Sequence, residues 1–231
     1  MYNRQRCPLR TRREGATRLS SKVWDRDKQL QRDRYYIRIA QAVRKSANCK
    51  GSHIGAVTVL QNRVVSTGYN GTPEAFPNCD DNGCVRCYDR WLEKNGLQEK
   101  MSDPSHVAGN ALDRCICVHA EQNAFLTAAR FGIALDGGSL YSTMSPCFNC
   151  LKEAVQIGIS RIVYRHWYPM NYPQALESQY IDLYHHLANG TDTNFEALGG
   201  GRPPIEPHGK APFLRHPGNG QVAARLLSQE R

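Results

Sequence analysis

From Asp33 onward, apolar residues recur at helical spacing. Tyr36, Ile39, Ala40 and Val43 fall at i, i+3, i+4 and i+7, which predicts one buried helical face. Arg34, Arg38, Arg44 and Lys45 fall off that face. The apolar run from Ile54 to Leu60 predicts a buried strand, turned by Gln61-Asn62-Arg63 into a second strand from Val64 to Thr67. Gly68-Tyr69-Asn70-Gly71-Thr72-Pro73 closes the pair as a tight loop that exposes backbone amides. Residues 74–118 show little periodicity, apart from a short predicted helix over Arg90–Leu97 and a polar, exposed excursion over residues 101–110. A compact domain holds such a stretch only where something pins it.

Regular patterning then returns. His119–Phe131 reads as a helix with small residues on its packing side and Gly132 after its end. Ser139–Met144 reads as a strand. Ser145-Pro146 opens a short helix, which places Cys147 at its N-terminus. Ser160–Tyr164 is the next strand. Strand, short helix and strand predict a parallel, right-handed βαβ unit. Residues 167–187 suggest one more helix, with Leu176, Tyr180, Leu183 and Leu187 as its stripe. The division is a basic, largely disordered extension (1–30), an α/β domain (31–190) and a Gly/Pro-rich tail (191–231) with a short helix expected near Val222–Leu227.

Charge changes this picture mainly by where it lies. The net charge is +9. Residues 1–20 hold six Arg and one Glu, and residues 200–231 hold five Lys/Arg and two Glu, which leaves +1 for residues 21–199. Basic arms can bind polyanions, but a near-neutral middle speaks against a nucleic-acid groove. No apolar run reaches the ~18 residues of a membrane span. The Arg-rich start lacks the apolar segment of a secretory signal. Nine cysteines, several at metal-like spacing, fit a reducing cytoplasm.

The chemistry sits in His119-Ala120-Glu121 and Pro146-Cys147-Phe148-Asn149-Cys150. Imidazole and two thiolates are zinc ligands, and three protein ligands are the number a catalytic zinc uses. His119, Cys147 and Cys150 supply them. Residues i and i+2 do not share a helix face, so Glu121 is better placed as a general acid/base than as a fourth ligand. Cys147 at a helix N-terminus has its thiolate favoured by the dipole. Either motif alone is weak. In this order they match the known H-x-E…P-C-x-x-C signature of zinc-dependent deaminases.

At these residues the chain resembles the cytidine deaminase superfamily and, within it, the deoxycytidylate (dCMP) deaminase family. The resemblance spans roughly residues 33–167. It rests on Ile54-Gly55-Ala56-Val57, the Gly68–Pro73 loop, Cys115–Ala124 and Ser145–Cys150. It implies a three-layer α/β/α sandwich around a central, mixed five-stranded sheet. It implies a zinc-dependent enzyme converting dCMP to dUMP and ammonia, with Glu121 moving protons to N3 and to the leaving amine. A homo-oligomer, from dimer to hexamer, and regulation by dCTP and dTTP are also implied. Substrate-binding candidates are Asn70, Ala120, Ser145, and Arg44 or Lys45 for the phosphate. Gly68, Tyr69 and Gly71 are effector-loop candidates.

A second, structural zinc is expected to pin residues 74–118. The candidate ligands are Cys49, Cys79, Cys84, Cys87, Cys115 and Cys117. The resemblance favours Cys49, Cys79 and Cys84 with a fourth from just before His119. Cys84-x-x-Cys87 and Cys115-x-Cys117 leave the set open. Two rival functions are a nucleic-acid cytosine or adenosine deaminase and a zinc-bound, non-catalytic protein of the competence type. A basic, aromatic-lined groove would favour the first, and the intact Glu121 opposes the second.

Overall fold

A computed structural model describes residues 17–104 and 115–167 and positions 176, 179, 180 and 183, with side chains from residue 27. The order is α1 (Thr17–Val43), β1 (Gly55–Leu60), β2 (Arg63–Tyr69), α2 (Val85–Lys94), α3 (Ala120–Arg130), β3 (Ser139–Met144), α4 (Phe148–Gln156) and β4 (Arg161–His166). The sheet runs β2-β1-β3-β4. β1 is antiparallel to β2 and β3, and β3 is parallel to β4, so the sheet is mixed and β3-α4-β4 is the expected βαβ unit. Four strands lie among the described residues, and the fifth expected strand falls outside them. Residues 1–16, 105–114, 168–175, 177–178, 181–182 and 184–231, with the short helix expected near Val222–Leu227, also lie outside.

Register shows how the layers form. Side chains alternate across a strand. Ala56 pairs with Gly68 and with Ser142, while Val57 pairs with Tyr141. One face therefore carries Ala56, Gly68 and Ser142, and the other carries Gly55, Val57 and Tyr141. A Cβ on Gly55 would meet the Ala40 carbonyl of α1 at 2.2 Å, and one on Gly68 would meet the Ala120 carbonyl of α3 at 2.2 Å. Helices α1 and α3 thus cover opposite faces, which makes an α/β/α sandwich. Both glycines are required by this close approach. Gly68→Ala is expected to cost about 1–3 kcal/mol in thermal unfolding, because the helix backbone must shift to admit the methyl group.

The two-residue turn Gln61-Asn62, both at positive φ, joins β1 to β2 in the form that suits strand twist. The buried face of α1 is Asp33, Tyr36, Ile37 and Ala40, with Ile39 and Val43 only partly covered. The expected stripe is therefore rotated toward Ile37, because the helix also carries a buried ion pair. Arg161 on β4 donates two 2.7 Å bonds to the Asp33 carboxylate, and Tyr141 donates a third at 3.0 Å. Helix α1 starts at Thr17, inside the stretch read as a disordered extension. No helix among the described residues is long and apolar enough to cross a membrane.

The segment after β2 differs most from expectation. Its helix runs over Val85–Lys94 instead of Arg90–Leu97. The buried positions are Arg86, Cys87, Asp89 and Leu92, and because two of the four are charged, an apolar pattern could not reveal that face. Asp89 accepts from the backbone N–H groups of Ser102 and Asp103 at 2.9 and 3.2 Å, tying the following loop to α2. Beyond β4, positions 176, 179, 180 and 183 are helical. Tyr180 is buried and donates to the Pro146 carbonyl at 2.8 Å, so it braces the Cys147 loop, whereas Leu176 of the expected stripe is exposed and Leu187 lies outside the described residues.

Candidate active site and cysteine cluster

His119 is the N-cap of α3 and does not belong to the helix itself. Its extended backbone lets the ring turn away from the helix axis. Its N–H donates to Gln122 Oε1 at 3.1 Å, and Gln122 donates to Glu153 of α4 at 2.9 Å. Cys147 likewise caps α4, whose first helical residue is Phe148, two positions later than the start predicted at Pro146, and Cys150 sits in the first turn. Two helix starts therefore point at one spot. His119 Nδ1 lies 3.3 Å from Cys147 Sγ and 3.4 Å from Cys150 Sγ, and the two sulfurs are 3.5 Å apart. Those separations match the edges of a tetrahedron with Zn–S of about 2.3 Å and Zn–N of about 2.0 Å. The three residues fit a zinc ion.

The protons in this site follow from the same contacts. Its hydrogen-bonded contact with Cys150, with help from His119, lowers the Cys147 thiol to about 4 despite its burial. Burial works against a charged His119, but the Cys147 thiolate and the nearby Glu121 charge bring the ring to about 9. Glu121 is buried on the second residue of α3. Burial raises its carboxyl above the usual range, while the His119 charge and a bond from Ser142 oppose this. Ser142 Oγ donates to Glu121 Oε1 at 2.7 Å. Sequence reading missed Ser142; its only sign was its place as one of three Ser/Thr residues, with Ser139 and Thr143, in a strand between two helices.

A cavity opens over these groups. Its walls include Ser52, Ile54, Asn70, Arg86, Arg90, Ala120, Met144 and Ser145, with His119, Glu121 and Cys147 at its base. Ala120, Ser145 and Asn70 thus reach the cavity as expected. The Asn70 amide is also engaged in shaping the wall. Its oxygen accepts from Ile54 N–H at 2.7 Å, and its nitrogen donates to the Ser52 carbonyl at 2.6 Å. Arg44 and Lys45 lie exposed in the turn after α1 and are not among the cavity residues. Gly68, Tyr69 and Gly71 do not line it either. Gly68 packs on α3 and Gly71 on Asn48, and Tyr69 alone of the three has an exposed side chain.

Arg86 and Arg90 stand where Arg44 and Lys45 were expected. They are one turn apart on α2, a spacing that puts them on one face. Arg86 is buried, and its Nε and Nη2 have no hydrogen-bond partner among the described residues. A desolvated guanidinium with unused donors is costly unless a ligand satisfies them. The i, i+4 spacing around Cys84-x-x-Cys87 was the available signal.

Behind this wall, Cys49, Cys79, Cys84, Cys87, Cys115 and Cys117 form one cluster, all buried except the half-buried Cys115. It joins the loop after α1, the start of α2 and the residues just before His119. Hydrogen bonds from Cys117 lower the Cys49 and Cys115 thiols, the latter to about 7, and one from Cys115 lowers Cys84, while their hydrogen-bonded partners Cys79, Cys87 and Cys117 are raised. The thiolate is the metal-binding form.

Residues 30–166 match the family model of the cytidine and deoxycytidylate deaminase zinc-binding region. The deoxycytidylate deaminase of Mycobacterium phage D29 is 38% identical over 132 residues, which cover 57% of this chain and 92% of that protein. The deoxycytidylate deaminase of Schizosaccharomyces pombe is 36% identical over 139 residues, 60% of this chain, but the chain spans only 38% of its length. The dCMP deaminase of cyanophage S-TIM5, solved with dCMP and dUMP, is 27% identical with a TM-score of 0.47, covering 67% of this chain and 90% of that one. With a family model matching more than half its length and a His/Cys/Cys/Glu site folded to suit, the chain belongs to the cytidine and deoxycytidylate deaminase family.

Proposed function

We propose that this chain deaminates dCMP to dUMP with release of ammonia. The observation that carries the choice of a nucleotide over a nucleoside is the buried, unsatisfied Arg86 in the cavity above Glu121. Its guanidinium, with Arg90 beside it, offers charge-assisted bonds to a 5′-phosphate. Ala120 and Ser145 line the region where the base edge would lie. His119, Cys147 and Cys150 would hold the catalytic zinc, which supplies Lewis acidity that makes water nucleophilic near neutral pH. Glu121, kept in place by Ser142, takes a proton from the attacking water, delivers one to N3 and passes another to the departing amine. Its raised carboxyl suits a group that must both accept and donate.

Zinc in the cysteine cluster would anchor α2, and with it Arg86, against the start of α3. The exposed Leu126 and Phe131 at α3 support a homo-oligomer. Regulation by dCTP or dTTP rests on the family resemblance, with Tyr69 as the accessible side chain of the loop. The eight free cysteines among the described residues support a cytoplasmic setting.

The test follows the ultraviolet change of cytosine to uracil on cytidine, deoxycytidine, CMP, dCMP, dCTP and a cytosine-bearing oligonucleotide. We expect dCMP to lead. A tenfold preference for deoxycytidine or the oligonucleotide would overturn the reading. Arg86→Ala should raise KM for dCMP roughly 10–100-fold, the value of a charge-assisted bond of about 1.5–3 kcal/mol, and leave deoxycytidine turnover unchanged. Equal losses on both substrates would make Arg86 a structural residue.

A further inference from the structure

The six cysteines divide into two four-sulfur sets, Cys49/Cys79/Cys87/Cys117 and Cys84/Cys87/Cys115/Cys117, with the sulfurs of each set within 4.8 Å of one another. The sets share Cys87 and Cys117. The Sγ separations are 3.6 Å for Cys49–Cys87, 3.7 Å for Cys84–Cys115, 3.5 Å for Cys87–Cys115 and 4.0 Å for Cys87–Cys117. A disulfide needs about 2.05 Å, so none is formed. A tetrahedron with Zn–S of about 2.3 Å has edges of about 3.8 Å, which these values bracket.

One ion can use only four of the six thiolates. It would leave two sulfurs packed against the site with nothing to bind. Two ions that share two sulfurs use all six, and each still has four. Charge favours this as well. Four thiolates around one divalent ion and six around two both carry a net charge of −2, so the second ion adds no unbalanced charge to a buried place. Lys50 donates its backbone N–H to Cys79 Sγ at 3.2 Å, which offsets part of that charge. Its ammonium lies over the rings of Tyr88 and Trp91 at 5.1 and 5.2 Å.

We propose that Cys87 and Cys117 bridge two zinc ions in a six-thiolate cluster, with Cys49 and Cys79 completing one ion and Cys84 and Cys115 the other. This deepens the reading that the cysteine cluster binds zinc and rests on it. The bridging pair has a structural consequence. Cys87 follows Arg86 on α2 and Cys117 lies two residues before His119, so the shared sulfurs join the two walls of the cavity.

The test is metal content of the purified full chain by mass spectrometry, combined with zinc X-ray absorption and with ¹¹³Cd NMR of the cadmium-substituted protein. We expect about three zinc per chain, one from His119/Cys147/Cys150 and two from the cluster. We also expect a metal–metal distance on the order of 3 Å, from two tetrahedra sharing an edge. The two all-sulfur cadmium signals should split each other through the shared thiolates. About two zinc per chain with no metal–metal contact would overturn the bridge and keep a single structural zinc. Only about one per chain would remove zinc from the cluster altogether. Uncoupled cadmium signals would also overturn the bridge, whatever the stoichiometry.

Discussion

Glu121→Gln is expected to lower kcat for dCMP by roughly 10²–10⁴, the usual range for loss of a positioned acid–base group, while metal content stays that of the unmodified protein. The reason lies in the separation of tasks between His119 and Glu121. His119 is the cap of α3 and turns toward Cys147 and Cys150, while Glu121, two residues on, turns into the cavity toward Ser142. Glutamine preserves size and can still accept the Ser142 bond, so the protein should fold and hold metal as before. The amide cannot take up a proton from water. Measuring kcat beside zinc content checks this. A variant that binds metal and turns over near the normal rate would require another base. Ser142→Ala supplies a graded companion, with a smaller loss of kcat and little change in KM, because Ser142 only positions the carboxylate.

The second large effect is on stability. Asp33→Ala should cost about 3–5 kcal/mol, the typical loss when one partner of a buried ion pair is removed. Asp33 is fully buried and receives bonds from both Arg161 nitrogens, Tyr141 and Gln29. Burial alone would lower the Arg161 pKa, but the Asp33 carboxylate raises it. Without Asp33 the guanidinium stays charged in a nearly enclosed place. The expected fall in Tm is roughly 6–20 °C, at about 2–4 °C per kcal/mol for a chain of this size. Combining Asp33→Leu with Arg161→Met should lose much less than the single change, since no lone charge remains. A mild Asp33→Ala, or strict additivity in the pair, would show that the contact contributes little.

Local pattern was enough for much of this protein. The apolar run from Ile54 and the glycine after Phe131 marked β1 and α3 within a residue or two. His119-Ala120-Glu121 and Cys147-x-x-Cys150 announced the side chains that meet at one spot, because coordination chemistry restricts which residues can serve and each motif's residues lie close in sequence. Tertiary structure decided what involves partners distant in the chain. The Asp33–Arg161 pair joins residues 128 positions apart, so each charge read singly looks like solvated surface. Arg86 and Asp89 occupy the buried side of α2, where a hydrophobic pattern sees only a polar stretch. The phosphate candidate moved from α1 to α2 for that reason. The cysteines were visible as candidate ligands, but which of them meet was not. Spacing gives short-range neighbours, whereas the sharing of Cys87 and Cys117 depends on how α2 and the segment before α3 meet in space.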